Sequence, residues 1–418
     1  MGLFDKIKKP KASAMPHMPQ RSGVMELIFC PVQNLEDIMR RMEVAFCLER
    51  GGTGNRITLR NEDMEIAFIG FVADKDTEDG KKVQQQLQGV WAYYRQIKTE
   101  QVDIQRNLLY HLRQCKGMVE VNATYDGPQN ADKEKAISAQ MGVATEALQG
   151  VLTWGMDALV NSRGQIILDK KGHSDLDYYM PLELQPAEDI WKDAPQEAQE
   201  RRNQSMALLR NSHIYVSSWL PLLGEQSQEL GRTLEEVCGR AAALLVVSLY
   251  SECRLGEKMS YEKAKEFVAP IMEAYGAEKY FSPKEKEYLD DPDSTQQTQI
   301  QYAWQYENLW VMEWALGLTN DLFWPDRICD VSGSVRMMKK YPDMAALTAA
   351  AKLRPRSELL QQADLIYRLH WACVDAQVMG MPAPQKVESG VVMERHRALF
   401  WLAGCDNMCP WDDVDLST

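Results

Sequence analysis

The chain has 418 residues, 45% of them hydrophobic and 26% charged, with a formal net charge of -13 and a pI near 5.1. That length exceeds one ordinary hydrophobic core and suggests two domains of globular composition. The acidity argues against general nucleic-acid affinity, and no apolar run approaches the ~18 residues that a membrane span needs.

Residues 1–22 read as a disordered basic tail, with Lys6, Lys8, Lys9 and Lys11 set among Pro10, Pro16 and Pro19. No long apolar segment follows the lysines, so the tail is not a secretory signal. Strands and helices then alternate over residues 23–185. Val24–Val32 predicts a strand, and Asn34 is a good N-cap for the amphipathic helix Leu35–Glu49, which Gly51, Gly52 and Gly54 would stop. Arg56–Arg60 and Glu65–Ala73 predict strands, Glu78–Lys98 and Val102–Lys116 helices, and Met118–Tyr125 another strand. Ala131–Gln149 returns to a helix, and Asp157–Val160 with Gln165–Asp169 reads as a hairpin. The sum is an α/β module with a mixed sheet. Pro186 and Pro195 with Glu188, Asp189 and Asp193 mark a linker over 186–198, and 199–418 is helical throughout. The expected class is therefore α+β. Eight of the eleven tryptophans fall in the second half, as a compact helical core would use them.

Four charges interrupt the apolar stripes of that half. Glu307 lies within Ile300, Ala303, Trp304, Val311, Trp314 and Leu318; Arg240 lies between Val237 and Ala241. Asp364 falls in with Leu360, Ala363, Tyr367 and Trp371, and Arg395 with Val391, Ala398, Leu399 and Leu402. A buried unpaired charge costs several kcal/mol, so two positive and two negative charges predict helices that neutralise one another at a polar centre. Such a centre is either an ion-pair network that fixes helix register or a pocket for a polar ligand.

Several separated segments carry a family resemblance: LEEVCGRAAAL (234–244), YFSPKEKEYL (280–289), WQYENLWVMEWALG (304–317), LRPRSELLQQADLIYRLHWA (353–372), VVMERHRALFWL (391–402) and the terminal WDDVDLST. In this order they resemble the bacterial family of domain of unknown function 4272, over roughly residues 200 to 418. The resemblance implies that Arg240, Glu307, Asp364, Arg368, Glu394 and Arg395 belong to the family pattern, with Trp411, Asp412 and Asp413 at its end. It implies no activity.

Asp412 and Asp413 are secondary candidates, as carboxylates able to hold a divalent cation, but a terminus docked by its tryptophan explains them better. Cys405, Cys409, His370 and Cys373 would make a zinc site only if a helix end reached back to His370, so no metal or cofactor is expected. The nine cysteines form no C-x-x-C pair and read as reduced thiols of a cytoplasmic protein. The expected function is non-enzymatic binding or interaction, with a protein partner such as a toxin to be neutralised, or a part in a stress response. The alternative is an enzyme acting on a small polar or anionic substrate at the Arg/Glu/Asp cluster. No nucleic-acid partner and no membrane span are expected, and oligomeric state is not legible.

Overall fold

The computed structural model describes residues 21–49, 54–127, 131–155, 157–181, 190–224, 231–405 and 407–418. The predicted basic tail lies outside them except for Arg21 and Ser22, which open the first strand, and so do residues 186–189 of the predicted linker. The chain divides into two compact units, Met1–Leu184 and Gln185–Thr418.

The first unit holds strands β1 (Arg21–Cys30), β2 (Arg56–Arg60), β3 (Met64–Val72), β4 (Gly117–Asp126), β5 (Val151–Trp154), β6 (Ala158–Val160) and β7 (Ile166–Asp169). Its helices are α1 (Leu35–Ala45), α2 (Glu78–Gln96), α3 (Val102–Gln114) and α4 (Ala131–Ala147). The seven strands form one sheet in the order β2-β3-β4-β1-β5-β6-β7. Every neighbouring pair is antiparallel, which corrects the expected mixed sheet. The connections supply the reason. Two successive helices, α2 and α3, return the chain so that β4 runs against β3. The single helix α4 does make β4 and β5 co-directional, but β1 lies between them and opposes both. On one side of the sheet, Ile38 and Met42 of α1 and Ile137 and Met141 of α4 share a core with Ile28, Phe68 and Val121.

The sequence reading placed no strand at β5, whose four residues between Gly150 and Gly155 are too few for alternation to register. It also ran α1 four residues too long. Asn34 caps the helix as expected, its Oδ1 accepting from the Asp37 amide at 2.7 Å. The end comes at Cys47, which takes a left-handed φ of 55° while the Leu48 amide bonds back to the Glu43 carbonyl. This is a Schellman closure made without glycine.

The second unit is all helical: α5 (Gln196–Asn211), α6 (Leu234–Arg254), α7 (Tyr261–Tyr275), α8 (Pro283–Asp290), α9 (Gln296–Ala303), α10 (Gln305–Ala315), α11 (Val331–Met338), α12 (Met344–Ala350), α13 (Arg356–Val378) and α14 (Ser389–Ala403). The unbroken run Ala241–Val247 is buried on every face, because α6 is the axis against which α7, α9, α10 and α12 pack. α13 and α14 pair with each other, and α14 also lies on α10. The stripe through Glu307 belongs to two helices, not one: the ladder tightens at Trp304, whose carbonyl accepts from the Glu307 amide at 3.0 Å. Trp314, Trp401 and Trp411 are core residues, whereas Trp219 is more than half exposed.

Candidate functional site

The four stripe charges, with Arg368 and Glu394, are all buried, but the stripe charges meet as distinct pairs and not in one exchange. The first pair joins α6 to the N-terminus of α8. Gly239 has no side chain, and a Cβ there would lie 2.2 Å from the Tyr280 ring. That close approach brings the turn before α8 onto α6, where Arg240 donates to the Tyr280 carbonyl at 3.1 Å and to Glu285 Oε2 at 2.6 Å. Glu285 also closes the capping box of α8 by accepting from the Ser282 amide. The partner of Arg240 is thus Glu285, a residue the stripe argument did not single out. Its only local signal is the Ser-Pro-Lys-Glu start of α8, which marks a cap and says nothing of a cation 45 residues earlier.

The second pair joins α10 to α14. Arg395 Nε lies 3.3 Å from Glu307 Oε2 and its Nη1 donates to the Phe323 carbonyl at 2.6 Å, while the other oxygen of Glu307 accepts from the Cys329 amide. Burial pulls the Arg395 guanidinium below its usual range and the Glu307 carboxylate pushes it back up. The third pair lies within α13: Asp364 and Arg368, one helical turn apart, make a two-pronged contact at 2.8 and 2.9 Å, and Arg368 also reaches the Pro221 carbonyl. In these pairs the side chains are 0–4% exposed.

Glu394 behaves differently. It neighbours Arg395 on α14, accepts from Asn308 Nδ2 at 2.7 Å and lies 3.7 Å from Arg397. Burial raises its carboxyl pKa, against the opposing pull of Arg397. Its Oε1 carries no hydrogen bond among the described residues, and it lines a cavity of about 290 Å³. Lys284, Tyr302, Gln305, Arg397, Trp411 and Asp412 share that wall, together with Glu285. Asp412 holds the short 3-10 turn Trp411–Asp413 against α8 by accepting from the Lys284 amide at 3.0 Å, a favourable place for a carboxylate at a helix N-terminus. Trp411 is wedged between the Trp401 ring, edge-on at 5.7 Å, and the Arg240 guanidinium at 4.7 Å. A second cavity, of about 250 Å³, opens beside Trp411 and is lined by Arg240, Tyr280 and Trp401 among others. Glu307, Asp364, Arg368 and Arg395 line neither cavity, and Asp413 is exposed.

A family model, domain of unknown function DUF4272, matches residues 201–414, half of the chain. The chain belongs to the DUF4272 family. The match ends at Val414, so the second unit from α5 to the Trp411 turn is the DUF4272 domain, and the first unit has no family assignment. Neither the curated proteins nor the solved structures give a match.

Among the described residues, no three His, Cys, Asp or Glu side chains are grouped to hold a metal ion. The zinc arrangement weighed on His370 is replaced by a contact with His396, Nδ1 to Nδ1 at 2.7 Å. No helix among the described residues is long and apolar enough to cross a membrane. A larger cavity, about 490 Å³, lies in the first unit and is lined by Leu87, Trp91, Arg113 and Lys116 among others; none of the charges picked out above reaches it.

Proposed function

We propose that the DUF4272 domain of this chain is a non-enzymatic binding module, in which the buried charge pairs hold helix register and the larger of the two cavities at Trp411, the one lined by Glu394, receives a small polar ligand. One observation carries the reading. Glu307, Asp364, Arg368 and Arg395 are sealed and paired, while the accessible polar wall is built from Glu394, Arg397, Lys284 and Asp412. An acid-base centre needs its groups within reach of a substrate, and these four pair members line neither cavity. The cytoplasmic setting belongs to the same reading, because all nine cysteines are free, as a reducing compartment keeps them.

The test separates the pairs from the cavity. A panel of small polar compounds is screened by thermal shift on the parent and on the double variant Glu307→Leu/Arg395→Met, and any hit is recovered and weighed by mass spectrometry. The expected result is a hit that stabilises both proteins and is recovered unchanged, since apolar replacement of a whole buried pair is often near neutral. A hit recovered chemically altered by the parent but not by the double variant would establish the enzyme reading instead.

A further inference from the structure

We infer that the Trp411 cavity is built for a small zwitterion, a free α-amino acid or a molecule of that charge pattern, with its ammonium on Glu394 and its carboxylate between Arg397 and Lys284. The inference rests on the binding reading above and names the ligand class of that same cavity.

Charge balance is the first argument. The lining contains three carboxylates, but Arg240 holds Glu285 on both oxygens and Ser282 donates to it as well. That leaves Glu394 and Asp412 against Lys284 and Arg397, two of each sign. A ligand of either net charge would leave one set unanswered in a partly desolvated space, whereas a zwitterion answers both.

The second argument is the open valence of Glu394. The side chain is 5% exposed and lines the cavity, with Oε2 occupied by Asn308, while Oε1 takes no hydrogen bond among the described residues. A buried carboxylate gains most from a charge-assisted N–H donor at that oxygen. Arg397 lies 3.7 Å from Oε2, beyond good hydrogen-bond length, with a quarter of its side chain exposed, so it is positioned to turn to an incoming anion. Among the described residues, Lys284 Nζ is likewise held by no more than a 3.4 Å contact to the Asp412 carbonyl.

Size is the third. About 290 Å³ is roughly ten waters at about 30 Å³ each, the bulk of one amino acid and below the range of drug-sized sites. The Tyr302 ring, stacked on Tyr288 at 3.9 Å, and Trp411 give the cavity rigid aromatic walls for a side chain.

Isothermal titration of the full chain with the twenty common free amino acids tests the proposal, each hit being repeated with its N-acetyl derivative and its decarboxylated amine. At least one amino acid should bind, and both analogues should bind at least tenfold more weakly. Glu394→Gln should abolish the preference over the N-acetyl derivative, and Arg397→Gln the preference over the amine. Each variant's ligand-free melting curve shows whether it is folded, and the analogue comparison on the parent protein needs no variant at all. If no amino acid binds but an analogue or another small polar compound does, the zwitterion assignment is wrong and the binding reading stands. If no small polar compound of any class binds the parent, both fall.

Discussion

Glu313→Gln should stabilise the helical unit by an amount that grows with pH. Glu313 is fully buried in α10, with Oε1 accepting from Ser334 Oγ at 2.9 Å and Oε2 unpartnered among the described residues. Burial without a cation in contact lifts its carboxyl from 4.5 to about 8. The folded protein therefore keeps a proton that the unfolded chain gives up above pH 4.5. The stability tied to that proton is complete below pH 4.5 and is lost progressively as pH rises to about 8. At about 1.4 kcal/mol per pH unit, the whole span amounts to about 5 kcal/mol, and the part between pH 5 and pH 7 to about 3 kcal/mol. The glutamine amide keeps an acceptor for Ser334 and never ionises. Its NH2 group is a further buried donor, costing about 1–3 kcal/mol wherever it finds no acceptor. The absolute difference at one pH thus mixes two effects, but its slope does not. Urea unfolding of parent and variant, followed by far-UV circular dichroism and tryptophan fluorescence, should show the variant gaining about 3 kcal/mol on the parent between pH 5 and pH 7. Parallel stability curves would mean that Glu313 ionises alike in both states, and the burial argument would fail.

His370 and His396 should act in the opposite direction. Both are buried, and burial lowers them from 6.5 to about 4 and about 3. The unfolded chain takes up their protons first, so stability should fall as pH drops below about 6.5, by at most ~1.4 kcal/mol per unit for each ring. A double His370→Asn/His396→Asn variant should lose that acid sensitivity relative to the parent in the same titration, and an undiminished slope would count against it. Gly239→Ala sets helix propensity, about 1 kcal/mol in favour of alanine, against a Cβ placed 2.2 Å from the Tyr280 ring. The clash should win by about 1–2 kcal/mol, lowering the melting temperature by roughly 2–8 °C, and a raised melting temperature would show that the turn before α8 yields freely.

The sequence made some of this legible for reasons that are local. Apolar spacing of three and four places a residue on a helix face without knowledge of what lies opposite, and so Arg240, Glu307, Asp364 and Arg395 could be read as buried. The N-cap at Asn34 is a contact across three residues and was equally readable. What lay opposite was not. Glu285 reaches Arg240 across 45 residues and Arg395 reaches Glu307 across 88, and no periodicity encodes either match. The Asp364–Arg368 pair is the instructive exception. It spans one helical turn and could have been paired at sight, had Asp364 not been assigned to charges on other helices. The antiparallel sheet was hidden for a related reason, since strand order is a tertiary fact and β1 enters between β4 and β5 from about 87 residues or more away.

Most of the buried ionisable groups in the helical unit follow one physical rule, although the buried Arg201 is held by the Leu223 and Gly224 carbonyls. Charges are admitted in pairs, as in Arg240 with Glu285, Arg395 with Glu307 and Arg368 with Asp364. Groups without a counter-ion in contact are held uncharged near neutral pH: Glu313 by a carboxyl raised to about 8, His370 and His396 by rings lowered to about 4 and about 3. Both solutions avoid the penalty of an uncompensated charge in a medium of low dielectric. Glu394 fits neither. Its carboxyl is raised by burial, yet it has a cation at 3.7 Å and lines the cavity. A group left between the two solutions is one that an incoming donor could complete, and it lies on the wall where Lys284, Arg397 and Asp412 are also incompletely engaged. The departure from the rule thus coincides with the cavity, and that coincidence is the reason the proposed ligand is assigned to this wall and not to the sealed pairs around it.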